Sequence, residues 1–363
     1  MLNAAVIGLG WWGKHIIRRT KGSRDIRLVM AVDQNAKLAA FAREHGVPFA
    51  ASFQAALDSK DVEAVLLATP HSLHTEQIAA AAKAGKHVFC EKPLALSAKD
   101  AAASVAACKS AGVFLGIGHE RRYEPAMTEL RKLVKRGALG TIMHAEACFN
   151  HDKLANVPKG DWRTSPKDAP AAGMTAMGIH LSDAFIDLFG PVDEVYAMTA
   201  ARVAYKDNGD VVSALLRHKS GPTSYINAIL VTQHRIGYLV YGSEGWADVV
   251  YSTHPDTPGS SRLSVEWRDG GRWSQDYQWE DTVRLNLEAF ARAAEGRGEY
   301  MFTDAQKIAN IATLEAIARS VAENRPVKVE AAESLGNASS APSGASSPRR
   351  APASQKARSK PKS

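Results

Sequence analysis

A glycine-rich hexapeptide near the start of the chain has a spacing that suits phosphate binding. It reads G-x-G-x-x-G and consists of Gly8, Leu9, Gly10, Trp11, Trp12 and Gly13. A strand pattern at residues 4–7 precedes it and a helix pattern at 12–19 follows, which is the context that this motif requires. The first glycine permits a tight turn, the second lets backbone approach a pyrophosphate, and the third lets helix and strand pack closely. The loop therefore predicts a dinucleotide site at a helix N-terminus, with Trp11 and Trp12 beside the nicotinamide.

An acidic residue stands where the ribose of a dinucleotide would lie. Asp33 follows a second predicted strand, residues 28–32, about twenty residues after Gly13. A carboxylate there accepts hydrogen bonds from ribose hydroxyls and repels a 2′-phosphate, so it favours NAD over NADP. The nearby Lys37 could accommodate that phosphate, which leaves NADP open, and Asp33 could instead be a turn or cap residue.

A lysine follows a later strand of the same predicted sheet. Residues 87–90 form the strand, and Glu91, Lys92 and Pro93 come directly after it. Strand ends of an open parallel sheet face the ligand crevice. An ammonium group there can stabilise a developing alkoxide, or act as a base where burial depresses its pKa. The alternative is a surface lysine paired with Glu91.

Several short motifs occur in a fixed order along the chain. They are Ala68-Thr69-Pro70, His74, Glu91-Lys92-Pro93, residues 118–123 (GHERRY), Trp162-Arg163, and Gly178-Ile179-His180 with Asp183. Over about residues 3–330, this set resembles the motifs of the Gfo/Idh/MocA family of oxidoreductases. The resemblance implies a Rossmann domain followed by a large mixed-sheet domain, and oxidation or reduction of a sugar, cyclitol or related polyol with NAD(P).

The same resemblance implies roles for individual residues. Lys92 is assigned to catalysis and substrate binding, and His180 is the catalytic histidine at the start of a helix in the second domain. A neutral imidazole is a suitable proton acceptor for a carbinol hydroxyl near pH 7. The residues expected near the cofactor, besides the glycine loop and Asp33, are Thr69, Pro70, His74, Glu91 and Lys92.

One position departs from the family pattern. The family commonly has an aspartate four residues before the histidine, where this chain has Ala176. Alanine cannot accept a hydrogen bond through its side chain or stabilise an imidazolium. Three interpretations stay open: Lys92 and His180 suffice, another acid such as Asp183 supports the site, or the protein binds a nucleotide without turnover.

Further polar and aromatic side chains are candidates for the substrate crevice. Arginine suits recognition of a carboxylate or polyol, and tyrosine or tryptophan can stack on a ring. Thr175 is a candidate for orienting a hydroxyl, and His119 for entering the pocket. For each, the alternative is a packed or surface side chain. The predicted substrate-binding residues are Lys92, Arg122, Tyr123, Trp162, Arg163, Thr175 and His180.

Two domains of an α/β protein are predicted to position these residues. Strand and helix patterns alternate in residues 1–120, which predicts a doubly wound parallel sheet that binds NAD(P). Residues 121–332 contain strand patterns in succession, which predicts an α+β domain with a large, mostly antiparallel open sheet for substrate binding and oligomerisation. Residues 333–363 have a composition that cannot bury a core, so a disordered basic tail is predicted.

Composition narrows the possible partners. The net charge of +7 comes largely from six cations in residues 335–363, so the rest is nearly neutral and specific nucleic-acid binding is not indicated. The three cysteines have neither disulfide nor zinc spacing, and no metal site is predicted. No apolar run suits a membrane span and no signal-peptide pattern precedes the first strand, so a cytoplasmic location is predicted. By resemblance, a homodimer or homotetramer is expected.

The leading hypothesis is therefore an enzyme that transfers hydride between a nicotinamide cofactor and a polyol or hydroxy acid. The alternative is a catalytically silent dinucleotide-binding sensor or interaction protein, which the missing aspartate suggests. The presence of both Lys92 and His180 argues against it, because binding a dinucleotide requires neither. A third hypothesis is that the basic tail binds nucleic acid in a salt-sensitive way.

Overall fold

The structure is a computed structural model that describes residues 1–158, 160–203, 207–254 and 256–330. Its first sheet contains six parallel strands: β1 (Leu2–Ile7), β2 (Ile26–Val32), β3 (Phe49–Ala50), β4 (Ala64–Leu67), β5 (His87–Cys90) and β6 (Leu115–Ile117). Their order, β3-β2-β1-β4-β5-β6, is that of a Rossmann fold and confirms the prediction for this half. The connecting helices are α1 (Trp11–Thr20), α2 (Ala39–Glu44), α3 (Phe53–Asp58), α4 (His74–Lys83) and α5 (Ala98–Ser110).

The second sheet contains nine strands: β7 (Ile142–Asn150), β8 (Val192–Ala200), β9 (Val211–His218), β10 (Thr223–Ile229), β11 (Arg235–Gly242), β12 (Gly245–Tyr251), β13 (Ser260–Trp267), β14 (Arg272–Gln278) and β15 (Val327–Lys328). Their order is β14-β13-β12-β11-β7-β10-β9-β8-β15. All neighbours run antiparallel except β7 and β10, which confirms the predicted mostly antiparallel sheet. The helices of this half are α6 (Pro125–Lys135), α7 (Gly178–Phe189), α8 (Thr282–Ala294) and α9 (Asp304–Glu323).

Burial along the strands distinguishes the two sheets. Every residue of β4 is buried, because helices cover both faces of the parallel sheet. Strand β9 instead alternates, with Val212, Ala214 and Leu216 buried and the residues between them more exposed. Alternation of this kind indicates that only one face of the second sheet is covered by core.

One helix links the two halves. Helix α8 comes late in the chain, yet Phe290 packs with ring centroids 5.5 Å from Phe89 and 6.0 Å from Phe114. Leu287 belongs to the same buried cluster as Ile16 of α1. Helix α8 belongs to the second half of the chain, yet it completes the core of the first sheet. The predicted domain boundary at residue 120 therefore stays a prediction.

Three further predictions concern membrane spans, the cysteines and the basic tail. Among the described helices, none combines the length and apolar character needed to cross a membrane. Cys90, Cys108 and Cys148 are free thiols, the first two buried. The predicted basic tail, residues 333–363, lies outside the described residues.

Candidate active site

The glycine loop between β1 and α1 contains two glycines that the fold requires and one that leaves space open. Gly8 has φ +91°, and a Cβ atom there would lie 2.7 Å from the carbonyl oxygen of Ala68. A Cβ atom on Gly13 would lie 1.8 Å from the carbonyl oxygen of Gly8. A Cβ atom on Gly10 would meet nothing within 4 Å. The loop is thus held closed by packing at its ends, while its middle can admit a pyrophosphate.

The N-terminus of α1 has the character of an anion site. Gly10 precedes the helix without a side-chain cap, and the first turn has no acidic residue. Its N–H groups and the positive end of the helix dipole are therefore available for a phosphate. Trp11 and Trp12 begin the helix with ring centroids 5.2 Å apart, and both line the cleft beside the loop.

Asp33 follows β2 and holds the loop from the opposite side. Its Oδ2 accepts the Leu9 N–H at 2.7 Å, and its Oδ1 accepts the Asn35 N–H at 2.8 Å. Each oxygen keeps a second lone pair for a ribose hydroxyl. Lys37 is exposed on the turn that follows. The open loop, the uncapped helix and this carboxylate together fit a bound dinucleotide.

His74 connects two of the strand-end loops. It is fully buried, with ring nitrogens 2.8 Å from the carbonyl oxygen of Pro93 and 3.1 Å from that of Thr69. Thr69 lines the cleft, whereas His74 and Pro70 are not among its lining residues. His74 thus lies outside the cleft lining, where its contacts with two carbonyl oxygens position the loops that contain Thr69 and Pro93.

A cleft with about 1330 Å³ of empty space, partly open to solvent, brings many of these side chains together. From the residues singled out in the sequence, its lining includes Trp11, Trp12, Thr69, Glu91, Lys92, Trp162, Arg163, Thr175, Ala176 and His180. The lining therefore combines residues from the ends of the first sheet with residues of the second half of the chain.

Lys92 reaches from the end of β5 toward the second half of the chain. Its Nζ donates a hydrogen bond to the backbone carbonyl of Ala176 at 2.7 Å. Burial lowers the pKa of Lys92, and the nearby carboxyl groups of Glu91 and Glu120 oppose that change. Ala176, which stands at the position of the usual aspartate, thus binds the lysine through its main-chain carbonyl.

Two carboxyl groups flank this lysine. Burial, with the charge of Glu120, raises the pKa of Glu91 to about 8. Burial likewise raises the pKa of Glu120 to about 7. A Cβ atom on Gly118 would lie 2.5 Å from Oε2 of Glu91, so this glycine makes room for the carboxyl group. Both groups therefore change protonation near neutral pH.

His180 lies in the first turn of α7 and is buried. Its Nδ1 is 3.4 Å from Nδ1 of His119, and the side-chain NH₂ of Asn310 donates to Nε2 of His119 at 3.1 Å. Burial and the nearby Lys92 charge lower the pKa of His180 well below its usual range. The partner of the catalytic-histidine candidate is thus another imidazole.

Asp183 does not support His180, because it is bound to Arg122. The guanidinium donates to Asp183 from Nε at 2.8 Å and from Nη2 at 2.6 Å, and to Asp187 from Nη1 at 3.2 Å. Arg122 is 1% exposed. Neither Arg122 nor Tyr123 is among the residues that line the cleft: Arg122 is buried in the core, and the half-buried Tyr123 packs against it.

Trp162, Arg163 and Thr175 do lie at the cleft. The Arg163 guanidinium carbon is 4.2 Å from the centre of the Trp162 ring, and Arg163 also pairs with Asp161 at 3.2 Å. Trp162 contacts the ring of His71 with centroids 4.5 Å apart. These contacts place the Trp162 segment against the loop that follows β4.

Sequence reasoning missed several charged or aromatic residues of the cleft. Glu120 and Arg121 belong to the GHERRY motif, in which only their neighbours His119, Arg122 and Tyr123 are predicted to contact the substrate. His151 follows β7 and His254 follows β12, so their positions just beyond strand ends were a usable signal. The cleft residues missed are Glu120, Arg121, Phe149, His151, Lys153, His254 and Asp256.

Comparison with known proteins agrees with this fold. Residues 2–119 match an oxidoreductase family model with an NAD-binding Rossmann fold, and residues 127–248 match the GFO/IDH/MocA C-terminal domain. The chain is 29% identical to D-xylose 1-dehydrogenase (NADP(+)) 2 of Haloferax volcanii over 91% of this chain and 99% of that protein. It is 28% identical to 1,5-anhydro-D-fructose reductase of Ensifer adhaerens, over 80% and 87% of the two chains.

A solved structure is also similar over nearly the whole chain. The aldose-aldose oxidoreductase of Caulobacter crescentus, complexed with glycerol, has a TM-score of 0.80 and 26% identity over 90% of this chain and 99% of that one. Fold and cleft together define a dinucleotide-dependent oxidoreductase. The chain belongs to the Gfo/Idh/MocA family, and it is an NAD(P)-dependent dehydrogenase or reductase that acts on CH–OH groups.

Proposed function

We propose that the enzyme interconverts a secondary hydroxyl and a carbonyl group on a sugar, cyclitol or related hydroxylated molecule, with Lys92 and His180 as its catalytic pair. The observation that carries this proposal is that both side chains line one cleft beside the glycine loop. The relatives named for D-xylose, 1,5-anhydro-D-fructose and aldoses support a carbohydrate substrate.

We further propose that the first-turn amides of α1 hold the pyrophosphate and Asp33 holds a ribose. The bound nicotinamide supplies the hydride acceptor or donor, and the protein's side chains manage the proton at the carbinol oxygen. The Asp33 carboxylate favours NAD over NADP, because it would repel a 2′-phosphate.

The hydrogen bonds behind His180 support a donor role for its Nε2. The Ser182 hydroxyl donates to Oδ1 of Asn310 at 2.6 Å, which orients the amide so that its NH₂ faces His119. Nε2 of His119 then accepts, its Nδ1 carries the proton, and Nδ1 of His180 accepts in turn. Neutral His180 therefore presents an Nε2–H group, which can stabilise an alkoxide or polarise a carbonyl.

This leaves Lys92 as the group that accepts the proton in the direction of oxidation. Burial lowers its pKa, so the ammonium loses its proton more readily than a solvent-exposed lysine and leaves an amine lone pair that can accept the carbinol proton. Its N–H bond to the Ala176 carbonyl holds the amine in one direction. In reduction the same group returns the proton to the alkoxide oxygen.

The first test is absorbance of reduced nicotinamide with NAD or NADP and a panel of sugars, inositols and hydroxy acids. For Lys92→Ala we expect kcat to fall by about 10² or more, the usual weight of a general base. The control is Lys83→Ala, at an exposed position of α4, with wild-type turnover expected. Quenching of Trp11 and Trp12 fluorescence reports dinucleotide binding separately. Tight dinucleotide binding without turnover of any carbinol or carbonyl would favour the silent binding protein instead.

We also propose that the outer face of the second sheet joins two copies of the chain. Met198, Leu215, Tyr225 and Tyr241 are 57%, 49%, 37% and 36% exposed on that face. Apolar side chains on an open sheet face are typical of a symmetric interface. Light scattering should show a dimer or tetramer for the wild type and a smaller species for Leu215→Arg; a monomeric wild type would contradict this assignment.

A further inference from the structure

Two histidines that the proposed reaction does not use lie together in the same cleft. His151 follows β7, and His254 follows β12, two strands away across β11. Both line the cleft, with ring centroids 4.9 Å apart. Burial lowers the pKa of His151 to about 3 and that of His254 to about 4, so both rings are neutral near pH 7.

The partner of His254 determines which of its nitrogens carries the proton. Its Nδ1 is 2.5 Å from Oδ1 of Asp256, an oxygen that also accepts from Nζ of Lys153 at 2.7 Å. Burial opposes ionisation of Asp256, but these two hydrogen bonds lower its pKa overall. The Asp256 backbone N–H also approaches Nδ1 at 3.4 Å, and the shorter, charge-assisted bond is the stronger. His254 therefore holds its proton on Nδ1 and presents Nε2 as an acceptor.

His151 has the opposite arrangement. The backbone N–H of Lys153 donates to Nδ1 of His151 at 3.1 Å. A neutral ring that accepts at Nδ1 carries its proton on Nε2. Within the part of the chain that the structure describes, no residue forms a hydrogen bond with Nε2 of either ring. The pair thus offers the cleft one acceptor and one donor.

The ring of Phe149 contacts both this histidine pair and the catalytic candidate His180. The Phe149 ring centroid is 5.5 Å from His151, 5.6 Å from His254 and 6.1 Å from His180. The Arg121 guanidinium carbon lies 4.5 Å from the same ring centre, and its buried Nη2 has no hydrogen-bond partner among the described residues. A molecule that reacts beside Lys92 and His180 can therefore extend along Phe149 to the two histidines.

We propose that His151 and His254 form a hydroxyl-binding subsite. The substrate hydroxyl donates to Nε2 of His254 and accepts from the Nε2–H of His151. The substrate is accordingly a polyhydroxylated molecule with a hydroxyl remote from the reacting carbinol, a statement that rests on the proposed function for the reacting end. A carboxylate has no proton to donate to Nε2 of His254, so a neutral polyol is preferred over a hydroxy acid at this position.

The tautomers can be measured without turnover. In protein labelled with ¹⁵N-histidine, long-range proton–nitrogen correlation spectra should show His254 protonated on Nδ1 and His151 on Nε2. The variants His254→Phe and His151→Phe assign the two signals. Finding His254 protonated on Nε2 would overturn the subsite, because both rings would then be donors.

Binding tests the hydroxyl itself. Calorimetry with NADH present would compare D-glucose, its monodeoxy analogues, D-gluconate and myo-inositol on wild type, His254→Phe and the control His45→Phe. His45 serves as the control because it follows α2, with Nδ1 3.0 Å from the Phe41 carbonyl oxygen, outside the cleft and away from the second sheet. We expect one deoxy analogue to bind wild type roughly five- to ten-fold more weakly than its parent, and His254→Phe to abolish that difference. D-gluconate should bind more weakly than D-glucose.

Each outcome separates the subsite from the proposed reaction. Equal weakening of the parent and all deoxy analogues by His254→Phe would show a structural role and overturn the subsite. Failure of every polyol to bind wild type would overturn it as well. Polyol binding that depends on His254, without turnover of any compound, would uphold the subsite and remove the proposed reaction.

Discussion

The two walls of the cleft are assembled differently. The wall from the first sheet is built of residues at or just beyond the carboxyl ends of neighbouring parallel strands, such as Thr69, Glu91 and Lys92. The opposite wall takes His180 from the start of α7, His151 from the end of β7 and His254 from beyond β12. On the first wall, the parallel topology brings the strand ends together and so determines where each side chain lies. On the second wall, histidine side chains differ in which ring nitrogen donates, because their hydrogen-bond partners differ.

The histidines make this difference concrete. His180 lies against His119, whereas His254 lies against Asp256. The same residue type therefore presents a donor in one place and an acceptor in the other. The cleft does contain an aspartate bound to a histidine, but the pair is Asp256 with His254 and not an aspartate at position 176 with His180.

The largest expected effect is on the first wall. Gly13→Ala places a Cβ atom 1.8 Å from the Gly8 carbonyl oxygen, so we expect a loss of about 4 kcal/mol or more in the free energy of unfolding, with loss of dinucleotide binding. Gly10→Ala is the matched control, because its Cβ atom would meet no protein atom within 4 Å. It should unfold like wild type and weaken dinucleotide binding alone. Denaturant titration and tryptophan quenching measure the two effects, and equal stability of the two variants would contradict the assignment.

The next effect tests whether Arg122 belongs to the core or to the cleft. Arg122→Leu leaves the buried Asp183 without its partner, while Asp187 keeps its ion pair with Arg131, so we expect destabilisation of about 3 kcal/mol. Arg163→Leu, in a cleft pair whose arginine is 38% exposed, should change stability by less than about 1 kcal/mol. Thermal unfolding of both variants decides the matter. A stable Arg122→Leu enzyme with a raised KM would instead return Arg122 to the substrate site.

A smaller effect is expected when the usual aspartate is restored. In Ala176→Asp a carboxylate four residues before His180 should raise the pKa of that histidine. As an acceptor, it would also favour a proton on Nδ1 of His180, where His119 favours a lone pair. The corresponding limb of the pH profile of kcat/KM should move to higher pH. Ala176→Asn separates the charge from the hydrogen bond, since it adds a side chain of similar shape without charge. An unmoved profile in Ala176→Asp would show that His119 alone determines the behaviour of His180.

The last effect concerns stability at different pH values. Because the pKa of Glu120 is raised to about 7 from an ordinary 4.5, the folded state holds this proton more tightly than the unfolded state. Its contribution to stability is therefore full below pH 4.5 and declines as pH rises toward 7. Glu120→Gln should lack this decline, so wild type should lose stability relative to the variant between pH 4.5 and 8. A constant difference in denaturant midpoints over that range would contradict the raised pKa.

Local patterns in the sequence were sufficient for the first wall. The glycine loop and the strand-end lysine both lie where the sequence predicts them. In each case the information is carried by residues close together in the chain, or by a parallel topology that brings strand ends to one edge. Short elements such as β3 and α3 escaped prediction, because two to six residues carry too little periodic pattern.

The partners of polar side chains could not be read from the sequence. Arg122 and Arg121 are adjacent, yet one binds Asp183 and Asp187 in the core while the other faces the cleft. His180 and Asp183 are three residues apart on one helix, yet each binds a group from another element. The sequence by itself specified a dinucleotide site and a lysine at its edge. Tertiary structure determined which histidine meets a carboxylate, because that depends on contacts between residues far apart in the chain and on the burial those contacts create.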